Sequence, residues 1–502
     1  MRFKSLFNDL ALTAMLVSCG AEEGKDNGSG APPNTHPDDA SVAQDSAGDG
    51  SISDAGKDSP SSDVVSESDT EAALAVCGNG KCEPGENCDN CPDDCGPCPQ
   101  MLAQVSQYDI TWNFDKAYPC GQYLTGDWWC LGPVTVSSVS PSPTGARNGS
   151  MLNPVGSQAY DARAGEYDAS KGLSFPLAIK PGQSLVSSVS HPDEPACSQG
   201  GSDGWFTYDG TCQRGPIATQ AILTVVETDS DLSQAFRPPY AGDEKPHYRL
   251  GDVLWSVLPG YPAPSSAPDG AQVFRHVQRP WIDHLDSWTM QHGCATLNMY
   301  CYGREIGDIV STMAQFALLD TPYRDDVALR LIQLGIDNFG VLQAGGGWGA
   351  NGGHFNGRKW PIVFAGLMLG DPGMKSPGTH IGNEDRMTYY GVNGKALWGR
   401  DCNDCYFSNG CTYSGSCQSG AKDCRDPAHL VDGCSGYRNC CTSHTWVGVA
   451  LAAQLLGARD AWGNDAFFDY VDRWMSGDVP EGGETTSSFV TDMWKTYRDK
   501  IP

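Results

Sequence analysis

Hydrophobic positions along the chain change period twice. Short runs with alternating or β-branched character, TVSSV at 135–139, SLVSSVS at 184–190 and AILTVVET at 221–228, are separated by Gly, Pro and Ser. That texture predicts strands, and the region 101–248 reads as a β-sandwich-like or jelly-roll domain. From 249 onward apolar residues recur at helical spacing: VSTMAQFALLD (310–320), VALRLIQLGIDNFGVLQ (327–343), PIVFAGLMLG (361–370), WVGVALAAQLLGA (446–458) and AFFDYVDRWM (466–475). These segments are apolar nearly all round, which predicts helices packed on both sides in a helical domain over 249–502. A stretch with little periodicity, 400–442, interrupts that domain, and Cys402–Cys441 within it carries eight cysteines. It reads as a disulfide-rich insertion, where the disulfide reading of Cys402-x-x-Cys405 outweighs zinc. Before residue 101 the longest apolar run is Leu10–Val17, and 19–76 holds almost no large apolar residue. Such a segment cannot bury enough surface to offset its chain entropy and reads as a disordered linker.

Charge sharpens this division. The formal charge is −28 over 502 residues, and about −11 of it falls in the linker, counting each Lys and Arg against each Asp and Glu. A net acidic surface excludes nucleic acid as the expected partner, because phosphate binding needs a basic footprint. The 21 cysteines fall into one at Cys19, six within 77–98 and fourteen from Cys120 to Cys441. Two even groups behind an export signal predict disulfides formed in an oxidising compartment. Cys120 is expected to pair with Cys130, Cys197 with Cys212, and Cys294 with Cys301.

The first 18 residues carry Arg2 and Lys4 ahead of the short apolar run, the pattern of a signal peptide too short to remain as a spanning helix. Its end, Leu16-Val17-Ser18-Cys19-Gly20, resembles the bacterial lipoprotein lipobox. The resemblance implies cleavage before Cys19 and a lipid on its sulfur, and Cys19 is also the cysteine left over by the even groups. It implies an exported chain, lipid-anchored in the bacterial cell envelope, with Gly20 favouring the outer membrane or cell surface. Residues 77–98 read CGNGKCEPGENCDNCPDDCGPC and resemble the CGNGxCExGExCxxCxxDCG modules of secreted and surface proteins of myxobacteria. With no room for a hydrophobic core, the module 77–100 depends on cross-links. Its acids Glu83, Glu86, Asp89, Asp93 and Asp94 suit calcium by chemistry, but no EF-hand-type loop is present, so the module reads as a disulfide-held spacer and no metal or cofactor is expected.

Candidate chemistry centres on Leu342–Asp371. Nine glycines lie between Gly345 and Gly370, with His354, Asn356, Arg358 and Lys359 among them and Pro361 near the start of an apolar run. A glycine-rich loop meeting a helix N-terminus is a natural anion site. The letters Gly347-x-Gly349-x-x-Gly352 match a dinucleotide fingerprint, yet no strand precedes them, and Arg358-Lys359 after Gly357 is not a P-loop ending. Three further clusters surround this loop in the reading: RHVQRPWIDHLDSW (275–288) with Arg279, Asp283 and His284; NMYCYGREIGD (298–308) with Asn298, Tyr300, Tyr302, Arg304 and Glu305; and YRNCCTSHTW (437–446) with Tyr437, Arg438 and His444.

Together they supply what β-elimination at a uronic acid needs: a hydrogen-bonding or cationic group on the carboxylate, and a positioned base for the adjacent carbon. Arg358 with Asn356 are the expected clamp, and His354 or Tyr302 the base or acid. Lys359, Arg279, His284, Asn298, Arg304 and His444 are the expected substrate contacts. Each has a plain structural alternative, since an arginine beside glycine turns often caps carbonyls and a buried histidine often serves the core. Helical hairpins joined by Gly-rich loops resemble the (α/α) toroids of polysaccharide lyases and some glycoside hydrolases, which implies a cleft at one end of a helical barrel and an anionic polysaccharide as substrate. The three segments 275–288, 298–305 and 342–371 are then expected to line that cleft. Hydrolysis would need two carboxylates, and Asp283, Asp286, Glu305, Asp308, Glu384 and Asp385 are available. A non-catalytic glycan- or protein-binding lipoprotein is the third reading.

Overall fold

A computed structural model describes residues 77–78, 86, 88–144, 146–156, 158–164, 167–192, 215–228, 232–285, 293–349, 352–399, 432, 437–479 and 482–501. The expected signal peptide, Cys19, the linker, the Cys197–Cys212 pair, Asp286 and nearly all of the 400–442 insertion lie outside the described residues. Sheet and helices share one unit spanning Ala72–Pro502.

The fold is mixed α+β. Strands β1 (Gln100–Gln107), β2 (Ile110–Gln122), β3 (Trp128–Leu131), β4 (Val134–Ser140), β5 (Ser150–Leu152), β6 (Leu177–Ile179), β7 (Gln183–Ser190) and β8 (Ile217–Val226) form a single sheet. Its order is β5-β7-β8-β3-β2-β4-β6, with β1 paired to β2 as well. The β1–β2 hairpin closes through Tyr108 and Asp109, both at positive φ, as a two-residue turn between right-twisted strands demands. The expected sandwich of two sheets is instead one curled sheet. β2 is long enough to pair with β4 through Thr111–Phe114 and with β3 through Cys120–Gln122, with a bulge at Asn113/Phe114. Bulges bend strands, so one sheet wraps its own core of Ile110, Trp112, Val136, Leu185, Leu223 and Val225. Cys120 and Cys130 sit directly opposite in the β2–β3 register and form the expected disulfide.

The C-terminal region is helical: α1 (Gly303–Phe316), α2 (Arg324–Gln343), α3 (Lys359–Leu369), α4 (Ser443–Leu455), α5 (Asp465–Ser476) and α6 (Ser488–Tyr497). The first five overlap the segments expected from periodicity, but α1, α3 and α4 end at Phe316, Leu369 and Leu455, short of the expected 320, 370 and 458. Helix α6 was not among the expected segments: Ser487 caps it by accepting from the Val490 amide at 3.3 Å, and Phe489, Val490, Met493, Trp494 and Tyr497 are its buried face. Among the described residues no helix is long and apolar enough to cross a membrane.

Helices α1 and α4 approach closely because each offers a glycine at the crossing. A Cβ on Gly307 would meet Thr445 at about 3.0 Å, and one on Gly448 would meet Ser311 at 2.7 Å. Gln315 Nε2 donates to the Gly448 carbonyl at 2.6 Å, and Ser311 Oγ to that of Thr445. This crossing brings the neighbours of Gly307 and Thr445, namely Asp308 and His444, face to face. Sheet and helices are joined by Arg237, fully buried, whose Nε meets Asp127 at 2.9 Å and whose Nη2 meets Asp337 of α2 at 2.6 Å.

Candidate functional site

The glycine-rich loop is a buried hub. Gly352, Gly353 and Gly357 have positive φ, and a Cβ on Gly353 would lie 2.4 Å from the Cys441 carbonyl. The glycines therefore serve close backbone packing. His354, Asn356, Arg358 and Lys359 are all buried. Asn356 donates through Nδ2 to the Cys441 carbonyl at 2.6 Å and accepts from Trp446 Nε1 at 2.9 Å. Arg358 Nε donates to Asp283 Oδ2 at 2.7 Å and Nη1 to the Asn356 carbonyl at 3.0 Å. Lys359 Nζ meets Asp385 Oδ2 at 2.7 Å and the Trp462 carbonyl at 2.8 Å. The loop is fastened from the other side by Tyr437, whose hydroxyl donates to Glu384 at 2.6 Å and accepts from the Gly353 amide at 3.0 Å. Burial raises the Glu384 carboxyl to about 7. The cations expected to seat an anion at this helix start are thus each matched to an acid, as buried charges must be.

The other expected contacts divide between bracing and display. Arg279 Nη1 donates to Thr219 of β8 at 2.8 Å and its guanidinium lies 4.8 Å from the Tyr108 ring centre. Asn298 Nδ2 donates to the carbonyls of Arg279 at 3.1 Å and His276 at 3.4 Å. His284 is buried with its ring edge-on to Tyr160 and Tyr240. The expected Cys294–Cys301 disulfide closes the loop before α1. The three segments do converge, since Arg358 reaches Asp283 and the Arg304 amide donates to Gly352 O at 2.9 Å. They meet through buried pairs.

The part-exposed polar corner lies at the starts of α1 and α4. Arg304 holds Glu305 Oε1 with Nη2 at 2.7 Å and Nε at 3.1 Å, and donates through Nη1 to the Cys440 carbonyl at 3.2 Å. Its guanidinium is 5.6 Å from the Tyr302 ring centre, and the Tyr302 hydroxyl is 3.8 Å from Cys441 Sγ. Cys440 and Cys441 form a disulfide between adjacent residues in a π-helical turn, Arg438–Thr442. Glu305 and Asp308, three apart, share one face of α1. Asp308 Oδ1 is 4.0 Å from His444 Nε2, and the two side chains are 33% and 16% exposed.

This corner separates proton affinities in an unusual direction. Burial, then the charge of Glu305, raises Asp308 to about 8 against the pull of Arg304. Burial, then Arg304, lowers His444 to about 4. Burial thus favours the protonated carboxyl and the neutral imidazole, an acid and a base facing each other. Sequence reading named Tyr302 as a base or acid and Arg304 and His444 as substrate contacts, put Glu305 in the Tyr302 cluster and His444 in a separate one, and counted Asp308 only among six acids available for hydrolysis. The i, i+3 spacing at a helix start was the available signal.

Among the described residues, the groupings of His, Cys, Asp and Glu close enough for a metal are Cys77, Cys91, Asp94 and Cys88, Asp89, Cys98. Cys77–Cys91 and Cys88–Cys98 are disulfides, which removes the thiolates a soft metal would need. Asp94 also accepts from the Gly78 amide at 2.6 Å. Compared with protein-family models, curated proteins and solved structures, the chain finds no match.

Proposed function

We propose that the chain is an envelope-anchored enzyme that degrades an anionic polysaccharide by β-elimination beside a uronic acid, with its reaction site at Tyr302, Arg304, Asp308 and His444. The observation that carries the reading is the 4.0 Å approach of Asp308 to His444, where burial raises the carboxyl and lowers the imidazole. A protonated Asp308 donates a hydrogen bond to the substrate carboxylate, where an ionised one would repel it. The His444 imidazole takes the proton from the carbon next to that carboxylate. The C–H electrons form the new C=C bond, the C–O bond breaks, and the leaving oxygen takes a proton from the Tyr302 hydroxyl. A separate cleft of about 500 Å³ on the sheet, lined by none of these four residues, has a hydroxyl-rich wall that includes Ser138, Ser142, Ser150 and Tyr167 with the one cation Arg147, which suits a sugar chain. Paired helices, α1 with α4 and α2 with α3, support an (α/α)-toroid-like frame. The lipobox residues Leu16–Cys19 support lipid anchoring at the outer membrane or cell surface.

One observation favours a second reading. Glu305 pairs with Arg304 at 2.7 Å while burial favours the protonated form of Asp308, and two such acids can serve hydrolysis as base and acid. Incubating the purified protein with alginate, pectin, glycosaminoglycans and ulvan separates the two. Elimination gives rising ultraviolet absorbance from an unsaturated uronate. Reducing ends without that band indicate hydrolysis, and silence on every substrate sinks the enzyme reading. The pH profile follows from the same pair. Turnover is expected to rise as His444 loses its proton near 4, hold a plateau, and fall as Asp308 ionises near 8. A single limb centred near the ordinary histidine value of about 6.5 would count against the assignment.

A further inference from the structure

A second reactive group sits away from the α1–α4 corner. The segment after Arg237 crosses α2 so closely that a Cβ on Gly340 would lie 2.2 Å from Pro239. Beside this crossing opens a cleft of about 640 Å³, walled by Pro239, Pro246, Ile336, Phe339 and Met374, with Lys245 in its lining. Lys245 Nζ donates to the Pro239 carbonyl at 2.6 Å, which fixes the amine at the cleft wall.

The charged groups around it set its state. Arg237 is a buried cation that opposes a second positive charge. Asp337 and Asp243 act the other way, but Asp337 is already bound bidentately by Arg237. Glu244 lines the same cleft, and Tyr248 donates to Asp371 at 2.9 Å on its border. Desolvation by the apolar walls, then Arg237, lowers the amine to about 7.

We propose that Lys245 is a carbonyl-reactive amine and that this cleft takes a small uncharged aldehyde, which it holds as an imine. The apolar walls and Glu244 select against an oxo acid. The nitrogen lone pair adds to the carbonyl carbon, a proton passes from nitrogen to oxygen, and the carbinolamine loses water to leave C=N. Nothing is oxidised or reduced.

The test is reductive trapping on the full chain with propanal and cyanoborohydride, read by peptide mass spectrometry, with surface lysines such as Lys171 and Lys180 as internal references. At pH 7, Lys245 is expected to label at least about tenfold faster, because an ordinary lysine amine is then almost wholly protonated. Its rate should rise with a midpoint near 7 and should saturate with propanal concentration. The variant Lys245→Arg should lose this label and keep its melting temperature. Labelling at the rate of the surface lysines overturns the reactive amine. A fast rate that stays linear in propanal overturns the ligand cleft.

Discussion

Replacing Arg358 with alanine is expected to lower the stability of the folded chain by about 3–5 kcal/mol, read as a shift in the denaturant midpoint. The side chain is buried, as is its partner Asp283, and the Nε–Oδ2 distance is 2.7 Å. Truncation leaves the Asp283 carboxylate in a low-dielectric interior without that cation, and the cost of stranding a buried charge exceeds the worth of the pair itself. It also removes the Nη1 bond to the Asn356 carbonyl, which fixes the loop where Asn356 supports Cys441. Arg358→Lys should restore stability only in part, because the ammonium keeps the charge but lacks the planar fork that spans Asp283 and the Asn356 carbonyl. The double change Arg358→Met with Asp283→Leu should recover much of the loss, since no charge is then stranded. If Arg358→Ala instead melts like the parent and loses only turnover, the guanidinium is reserved for substrate and the expected carboxylate clamp stands.

That experiment also marks where reading the sequence stops. Helices α1 to α5 were legible because apolar residues recur along them at helical spacing, and the strands because short alternating or β-branched runs lie between Gly, Pro and Ser. The curling of the sheet was not, because alternation is the same for two packed sheets and for one sheet that β2 bends around a bulge. In the loop, the glycines and cations were visible but their use was not. A glycine that lets a ligand approach looks like one that lets the Cys441 carbonyl approach. Whether a cation is spent depends on partners remote in sequence: Asp283 for Arg358, Asp385 for Lys359. The same holds for the corner, where Asp308 and His444 are brought together only by the Gly307 and Gly448 crossing.

Replacing His444 with alanine is expected to reduce turnover by a factor on the order of 10²–10⁴, the usual share of a positioned general base, while the melting temperature stays close to the parent's. The two readouts separate because the imidazole is partly exposed and its contact with Asp308, at 4.0 Å, is too long to hold the helices together. Helix pairing rests on Gly307, Gly448 and the bond from Gln315 to the Gly448 carbonyl. Added imidazole should restore part of the lost rate, which a merely structural histidine would not allow. Asp308→Asn tests the other half. The amide can still donate a hydrogen bond to a carboxylate, so elimination should persist at a reduced rate and lose its alkaline limb near 8, since no group remains there to ionise. Hydrolysis requires a proton to be given up, and an amide has none to give, so Asp308→Asn would abolish it. Glu305→Gln would do the same to hydrolysis through loss of the base. Loss of turnover in both acid variants, with His444→Ala fully active, would therefore assign the corner to hydrolysis and leave the imidazole a bystander.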